Sequence, residues 1–125
     1  MIAIDLRKFV QEYWAAISGK AKTLPLLDKY IRDSELKNHI LSYEVPFPCY
    51  ELFADDFICE DDKIVVRARF KGTHKGDMMG IAPTGKTVEV PFSVIYQVDG
   101  EKIIKSWLFM NQMELMNQLG IASDN

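Results

Sequence analysis

The apolar positions of this chain change their period once, and the change divides it. Leu6, Phe9, Val10, Tyr13, Trp14 and Ile17 recur at helical spacing and form one stripe. Asp5 precedes the stripe as a side-chain N-cap, and "SGK" supplies a glycine where it should stop. A short second helix is expected from "TLP", which carries Leu24, Leu27 and Ile31 and tolerates proline in its first turn. Asp33 or Ser34 caps a third, with Leu36, Ile40 and Tyr43 on its apolar side and His39 beside that stripe. Pro46 and Pro48 end it, because neither can continue the helical hydrogen-bond ladder.

After Tyr50 the pattern alternates. Strands are expected near 50–59, 63–72, 86–98 and 101–111. In the second, Ile64, Val66, Ala68 and Phe70 share one face, while Val65, Arg67 and Arg69 share the other. In the third, Val88, Val90, Phe92, Val94 and Tyr96 fall on one side. "DGE" marks a tight turn, and "MELMNQLGI" closes the pattern as a short amphipathic helix. Helices first and strands afterwards predict an α+β domain spanning 1–125, its helices packed on one face of a curved antiparallel sheet. The concave side of such a sheet is where a ligand fits.

One stretch resists this simple reading. A hairpin turns in two to five residues, yet "GTHKGDMMGIAPTGK" spends about a dozen and includes four glycines, His74 and Asp77. Long ordered loops in compact domains often carry function.

Composition narrows the classes further. With 125 residues, 48% apolar and 26% charged, the chain suits one ordinary globular core. A net charge of −3 without a Lys/Arg stripe argues against nucleic acid as a partner. No apolar run is long enough to span a bilayer, and the charges within "MIAIDLRKFVQEYW" do not suit a signal peptide. Cys49 and Cys59 lack metal-ligand spacing and are too few for a disulfide scaffold, so a cytoplasmic protein with reduced thiols is expected.

The long loop and its flanking strands resemble the SnoaL-like polyketide cyclase (ester cyclase) family of the nuclear-transport-factor-two-like superfamily. The residues that carry the resemblance are "DKIVVRARFKGTHKGDMMGIAPTGKTVEV", "IYQVDGEKIIKSW" and "LMNQLG". It implies a cone-shaped α+β barrel, commonly a homodimer, with an apolar pocket between sheet and helices. It also implies a cofactor-free, metal-free aldol ring closure, in which an acidic side chain takes a C–H proton and the enolate attacks a carbonyl of the same molecule. In that family the last strand reads roughly His-Trp-Asp-x-x-Asp, the final Asp being the base. Here the segment is "SWLFMN", which puts Ser106, Leu108 and Asn111 at those positions. A neutral amide cannot take the proton.

The candidate catalytic residues are therefore Asn111, His39 and His74. Asn111 shares strand parity with Trp107 and Phe109, so it is expected to face inward, bonding either a ligand carbonyl or the strand-end backbone. His39 is the titratable group placed over the pocket from the helical side and the first choice as a replacement base. His74, between glycines, is either a base or, more commonly for such a motif, a residue that shapes the loop. Trp14, Tyr43, Phe92, Tyr96, Trp107 and Phe109 are the expected pocket lining, and Met78, Met79, Met110, Met113 and Met116 suit an adaptable one. The outer sheet face, with Val65, Arg67, Ser93, Ile95 and Ile104, is expected to pair with a second copy. Two functions stay open: a cofactor-free enzyme acting on a small apolar carbonyl compound, or a binding module that keeps the pocket without the chemistry.

Overall fold

The computed structural model describes residues 5–78 and 80–120. Its elements run α1 (Leu6–Ile17), α2 (Leu24–Asp28), α3 (Ser34–Glu44), β1 (Glu51–Glu60), β2 (Lys63–Thr73), β3 (Thr87–Asp99), β4 (Lys102–Met110) and α4 (Gln112–Gln118). The expected caps form. The Asp5 carboxylate accepts from the Lys8 amide at 3.1 Å, and that of Asp33 accepts from the Glu35 amide at 3.1 Å.

The strands make one antiparallel meander, ordered β1-β2-β3-β4. β1 and β4 do not pair, so the sheet is an open, curved half-barrel. The segment after α2 is stitched onto β4: Ile31 bridges Ile103, whose amide donates to the Tyr30 carbonyl at 2.8 Å. Inside the curve, α1 buries Leu6, Phe9, Val10, Tyr13, Trp14 and Ile17 against the inner face of the sheet. That face carries Ile64, Val66, Ala68 and Phe70 from β2 and Val88 through Val98, at alternate positions, from β3.

Two register shifts set the shape. One lies between Ala54 and Asp56 in β1, the other between Gln97 and Val98 opposite β4. In the second, Val98 pairs with Ile103 and Gln97 with Lys105, which leaves Ile104 as the extra residue. A bulge reverses the parity of everything beyond it. Ile103 points inward and is fully buried, but after the bulge the inward positions are even-numbered, with Tyr96 opposite Ser106, Val94 opposite Leu108 and Phe92 opposite Met110.

The inward orientation expected of Trp107 and Phe109 is thereby corrected. Trp107 pairs with Ile95 and Phe109 with Ser93, both on the outer face. The register aligns Ile58, Val65, Ile95 and Trp107 in one apolar row across the whole outer face. Ile58 and Phe109 stand 62% and 58% exposed there.

Candidate functional site

The long loop proves to be architecture. The His74 amide donates to the Lys86 carbonyl at 2.9 Å, and the Gly85 amide returns a bond to the His74 carbonyl at 2.9 Å, closing the loop's neck. The His74 ring is fully buried, and its Nδ1 accepts from the Thr84 amide at 3.2 Å. That bond leaves the ring proton on Nε2, which has no hydrogen-bond partner among the described residues. Phe47 packs beside the ring, with centroids 5.6 Å apart. The amides of Lys75 and Gly76 both donate to the Pro46 carbonyl, so the loop clamps the turn that follows α3. Gly76 is required for that approach, because a Cβ there would lie 2.1 Å from the Val45 carbonyl oxygen. Asp77 caps the tip by accepting from the Gly80 amide at 3.1 Å. Met79 lies outside the described residues.

The cavity lies elsewhere, between α1, α3 and the inner face of the sheet. Helix α1 contributes Tyr13 and Ile17, and α3 contributes Leu36, His39, Ile40 and Tyr43. Tyr50 and Leu52 wall it at the start of β1, Phe70 from β2, and Phe92, Val94 and Tyr96 from β3. Leu108 and Met110 complete it from β4. At about 50 Å³ it is narrow, with room for a few water molecules.

Of the expected lining, Tyr43, Phe92 and Tyr96 are brought together here, along with His39. Trp14 stands behind the wall: its ring packs on Phe92 at 6.1 Å, and its indole N–H donates to the Tyr96 hydroxyl at 3.1 Å. Trp107, Phe109, His74 and Asn111 are not in the lining. Of the methionines, Met110 lines the cavity, Met78 belongs to the core and Met113 is exposed. Asn111 is the N-cap of α4, where its side-chain oxygen accepts from the Glu114 amide at 3.0 Å in an exposed position. The last inward position of β4, immediately before Asn111, is held by Met110, an apolar side chain.

His39 sits at the rim. Much of its surface meets solvent, while its ring leans on Tyr43 with centroids 4.8 Å apart. The cavity's apolar surroundings desolvate it and push its pKa below the ordinary histidine value, which favours the neutral, proton-accepting ring. Tyr43 is tied across the mouth, its hydroxyl accepting from the Gln112 side chain of α4 at 3.0 Å. Among the described residues, no Asp, Glu, Lys or Arg lines the cavity.

The phenols are kept neutral. Burial raises the pKa of Tyr13, Tyr50 and Tyr96, in each case as the largest influence. Since the Trp14 indole only donates, the Tyr96 oxygen is an acceptor there and its own O–H is left to donate. Tyr50 is held from behind by Lys22, whose buried ammonium donates to the Tyr50 carbonyl at 2.9 Å and lies 3.8 Å from the centre of its ring. Desolvation lowers the Lys22 pKa, opposed by Glu44, whose carboxylate lies 3.5 Å away and also accepts from the Cys49 amide at 2.9 Å.

Sequence reasoning missed Tyr13, Tyr50, Leu52 and Leu108 as lining. Tyr13 was visible in the α1 stripe, but nothing in the spacing separates a core tyrosine from one beside a hollow. Among the described residues, no group of three or more His, Cys, Asp or Glu is placed to hold a metal, and no helix is long and apolar enough to cross a membrane.

Fold and cavity together define a cone-like α+β half-barrel with an apolar centre. The chain belongs to the SnoaL-like polyketide cyclase family, whose model matches residues 7–119. A candidate polyketide cyclase from Acidithiobacillus ferrooxidans is similar in structure, with a TM-score of 0.80 at 18% identity over 98% of this chain and 99% of that one. A SnoaL-like polyketide cyclase from Agrobacterium tumefaciens superposes with a TM-score of 0.76 at 17% identity, covering 94% of this chain and 100% of that one. AclR of Streptomyces galilaeus, a candidate hydroxylase, gives 0.79 at 20% identity over 95% of this chain and 83% of that one. At these identities the likeness carries the fold. No curated protein matches the chain.

Proposed function

We propose that the protein binds a small, neutral, apolar carbonyl compound in the cavity and acts on it without a cofactor, as a cyclase or isomerase whose base is His39. The observation that carries this reading is the lining itself. Among the described residues its only ionisable side chain besides the phenols is His39, whose pKa desolvation lowers. A neutral imidazole at the rim takes a proton from carbon next to a carbonyl. The Tyr96 hydroxyl donates to the oxygen on which charge develops, in a site with little water to compete. Asn111 does not serve as base in this scheme, since its oxygen is engaged in capping α4.

The specific observation behind a second reading, a binding module without turnover, is that no carboxylate among the described residues lines the cavity. Turnover of a generic polyketide ester by wild type, His39→Gln and Tyr96→Phe separates the two. The enzyme reading expects His39→Gln to lower the rate by about a hundredfold or more. Equal rates in wild type and His39→Gln defeat the assignment, and ligand binding with no turnover in any of the three favours the module.

The same reading includes a homodimer. The outer row of Ile58, Val65, Ile95 and Trp107 is flanked by Arg67 and Phe109, an apolar strip rimmed by charge that suits a two-fold partner. Light scattering at micromolar concentration tests it, and Val65→Glu should shift a dimer to monomer.

A further inference from the structure

A second hollow of about 270 Å³ lies outside the cavity, in the gap between α1 and the edge strand β1. The gap is clasped at both ends. At one, the Ser18 hydroxyl accepts from the Leu52 amide at 2.8 Å and donates to the Leu52 carbonyl at 3.2 Å. At the other, the Arg7 guanidinium lies over the Phe57 ring, 5.5 Å from its centre. Between the clasps, Ala15 of α1 and Ala54 of β1 face the slot, both exposed. A helix packed on a sheet ordinarily fills such space with larger apolar side chains. Here two methyl groups leave it open.

The slot and the cavity share a wall. Leu52 lines both, and Trp14, which lines the slot, packs against Phe92 of the cavity. Leu52's backbone is fixed by Ser18 and by pairing with Phe70, while its side chain is only half-buried. The cavity alone, about 50 Å³, is small for an organic ligand, whose pockets run to ~300–1,000 Å³. The slot adds length on the far side of Leu52, which lines both hollows.

We propose that the slot between α1 and β1 is the second half of the ligand site. A linear apolar carbonyl compound sets its carbonyl beneath Tyr96 and threads its hydrocarbon end past Leu52, between Ala15 and Ala54. This rests on the reading of the cavity as a carbonyl site. The slot's lining carries no charge, so it selects hydrocarbon, and Gln11 offers an amide to a polar terminus.

The test is calorimetric titration of the full chain with straight-chain 2-alkanones, from butanone to 2-undecanone. Short ketones report on the cavity and long ones on the slot. Wild-type affinity should rise about fourfold per methylene once the cavity is filled. Ala54→Trp fills the slot from an exposed position and should abolish that rise while leaving butanone unchanged. Ala15→Trp does the same from the helix, which keeps the test valid if one variant fails to fold. If both tryptophan variants follow the wild-type series, or wild type shows no dependence on length, the slot is overturned and the cavity reading stands. If no ketone binds, butanone included, the cavity reading falls and the slot falls with it.

Discussion

The two histidines of this chain sit at the two ends of one aromatic run, His39–Tyr43–Phe47–His74, and live in opposite surroundings. His74 is fully buried, its Nδ1 engaged by the Thr84 amide and its ring packed on Phe47. His39 has one ring neighbour, Tyr43, and stands half in solvent over the cavity. The motif that is most conspicuous in sequence belongs to the first, the end with no hollow. A loop specified at so many positions is a loop whose backbone must close in one way. The second end is specified loosely, by a helix face and a few aromatics, and there the cavity lies. Conspicuous spacing and chemistry have come apart here, and each variant below pulls on one end without the other.

The largest effect is expected at Gly76. A side chain there meets the Val45 carbonyl oxygen at 2.1 Å, which backbone on both sides prevents from yielding. Gly76→Val should cost about 3 kcal/mol or more and lower the melting temperature by roughly 10 °C. A melt within two degrees of wild type would mean that the loop does not clamp the α3 turn as described. His74→Ala comes next. It removes a buried ring and its bond to Thr84, for an expected loss of about 2–3 kcal/mol. His74 is not in the cavity lining, and Phe47 stands between it and Tyr43, so ketone binding by the folded variant should change little. Lost binding with an unaltered melt would reverse the division between the two ends.

Most of the fold was legible because it follows from period. The α1 stripe, both side-chain caps and all the strands lie within a residue or two of where the alternation puts them. What escaped was the face of β4. Counting by twos from the buried Ile103 places Trp107 and Phe109 inside, and the count fails at Ile104, the unpaired residue of the bulge. A bulge of this kind has no composition of its own. Val98 opposite Ile103 is an ordinary pair, and no residue type on either strand marks the shift. Asn111 then leaves the strand altogether to cap α4, a role its residue type fits and its spacing from Glu114 allows. Tyr50 was hidden differently, because the interaction that holds it comes from Lys22, 28 residues earlier.

A smaller effect is expected from pH at the rim. Desolvation holds the folded His39 pKa below its ordinary value, so as pH falls the unfolded chain takes up the proton first. His39's contribution to stability is therefore complete above the unfolded value of ~6.5 and is lost as pH falls from there through the folded pKa. Denaturant midpoints measured from pH 8 to pH 5 should show a shallow decline that His39→Gln flattens. The same decline in both proteins would assign it to another group. Because the ring is partly exposed, the slope should be weaker than for a buried histidine.

The smallest effect is expected at the residue that first suggested lost chemistry. Asn111→Asp restores a carboxylate at the sequence position where the family carries its base. In this structure that position is an exposed N-cap whose oxygen accepts from the Glu114 amide. Asp caps as well as Asn, and its charge at a helix N-terminus is favourable, although Glu114 in the first turn offsets part of the gain. Stability should change by no more than about 0.5 kcal/mol, whereas Asn111→Ala, which removes the cap, should cost about 1 kcal/mol. Turnover should not rise, because the new carboxylate stays outside the cavity lining and remains as acidic as a solvated one, a weak base. Its pKa gives a direct readout. A carboxyl that titrates near 4 by NMR sits in water, while one displaced well upward has entered an apolar site. An upward displacement together with increased turnover would show that the end of β4 swings inward with ligand bound, and His39 would lose its place as the base.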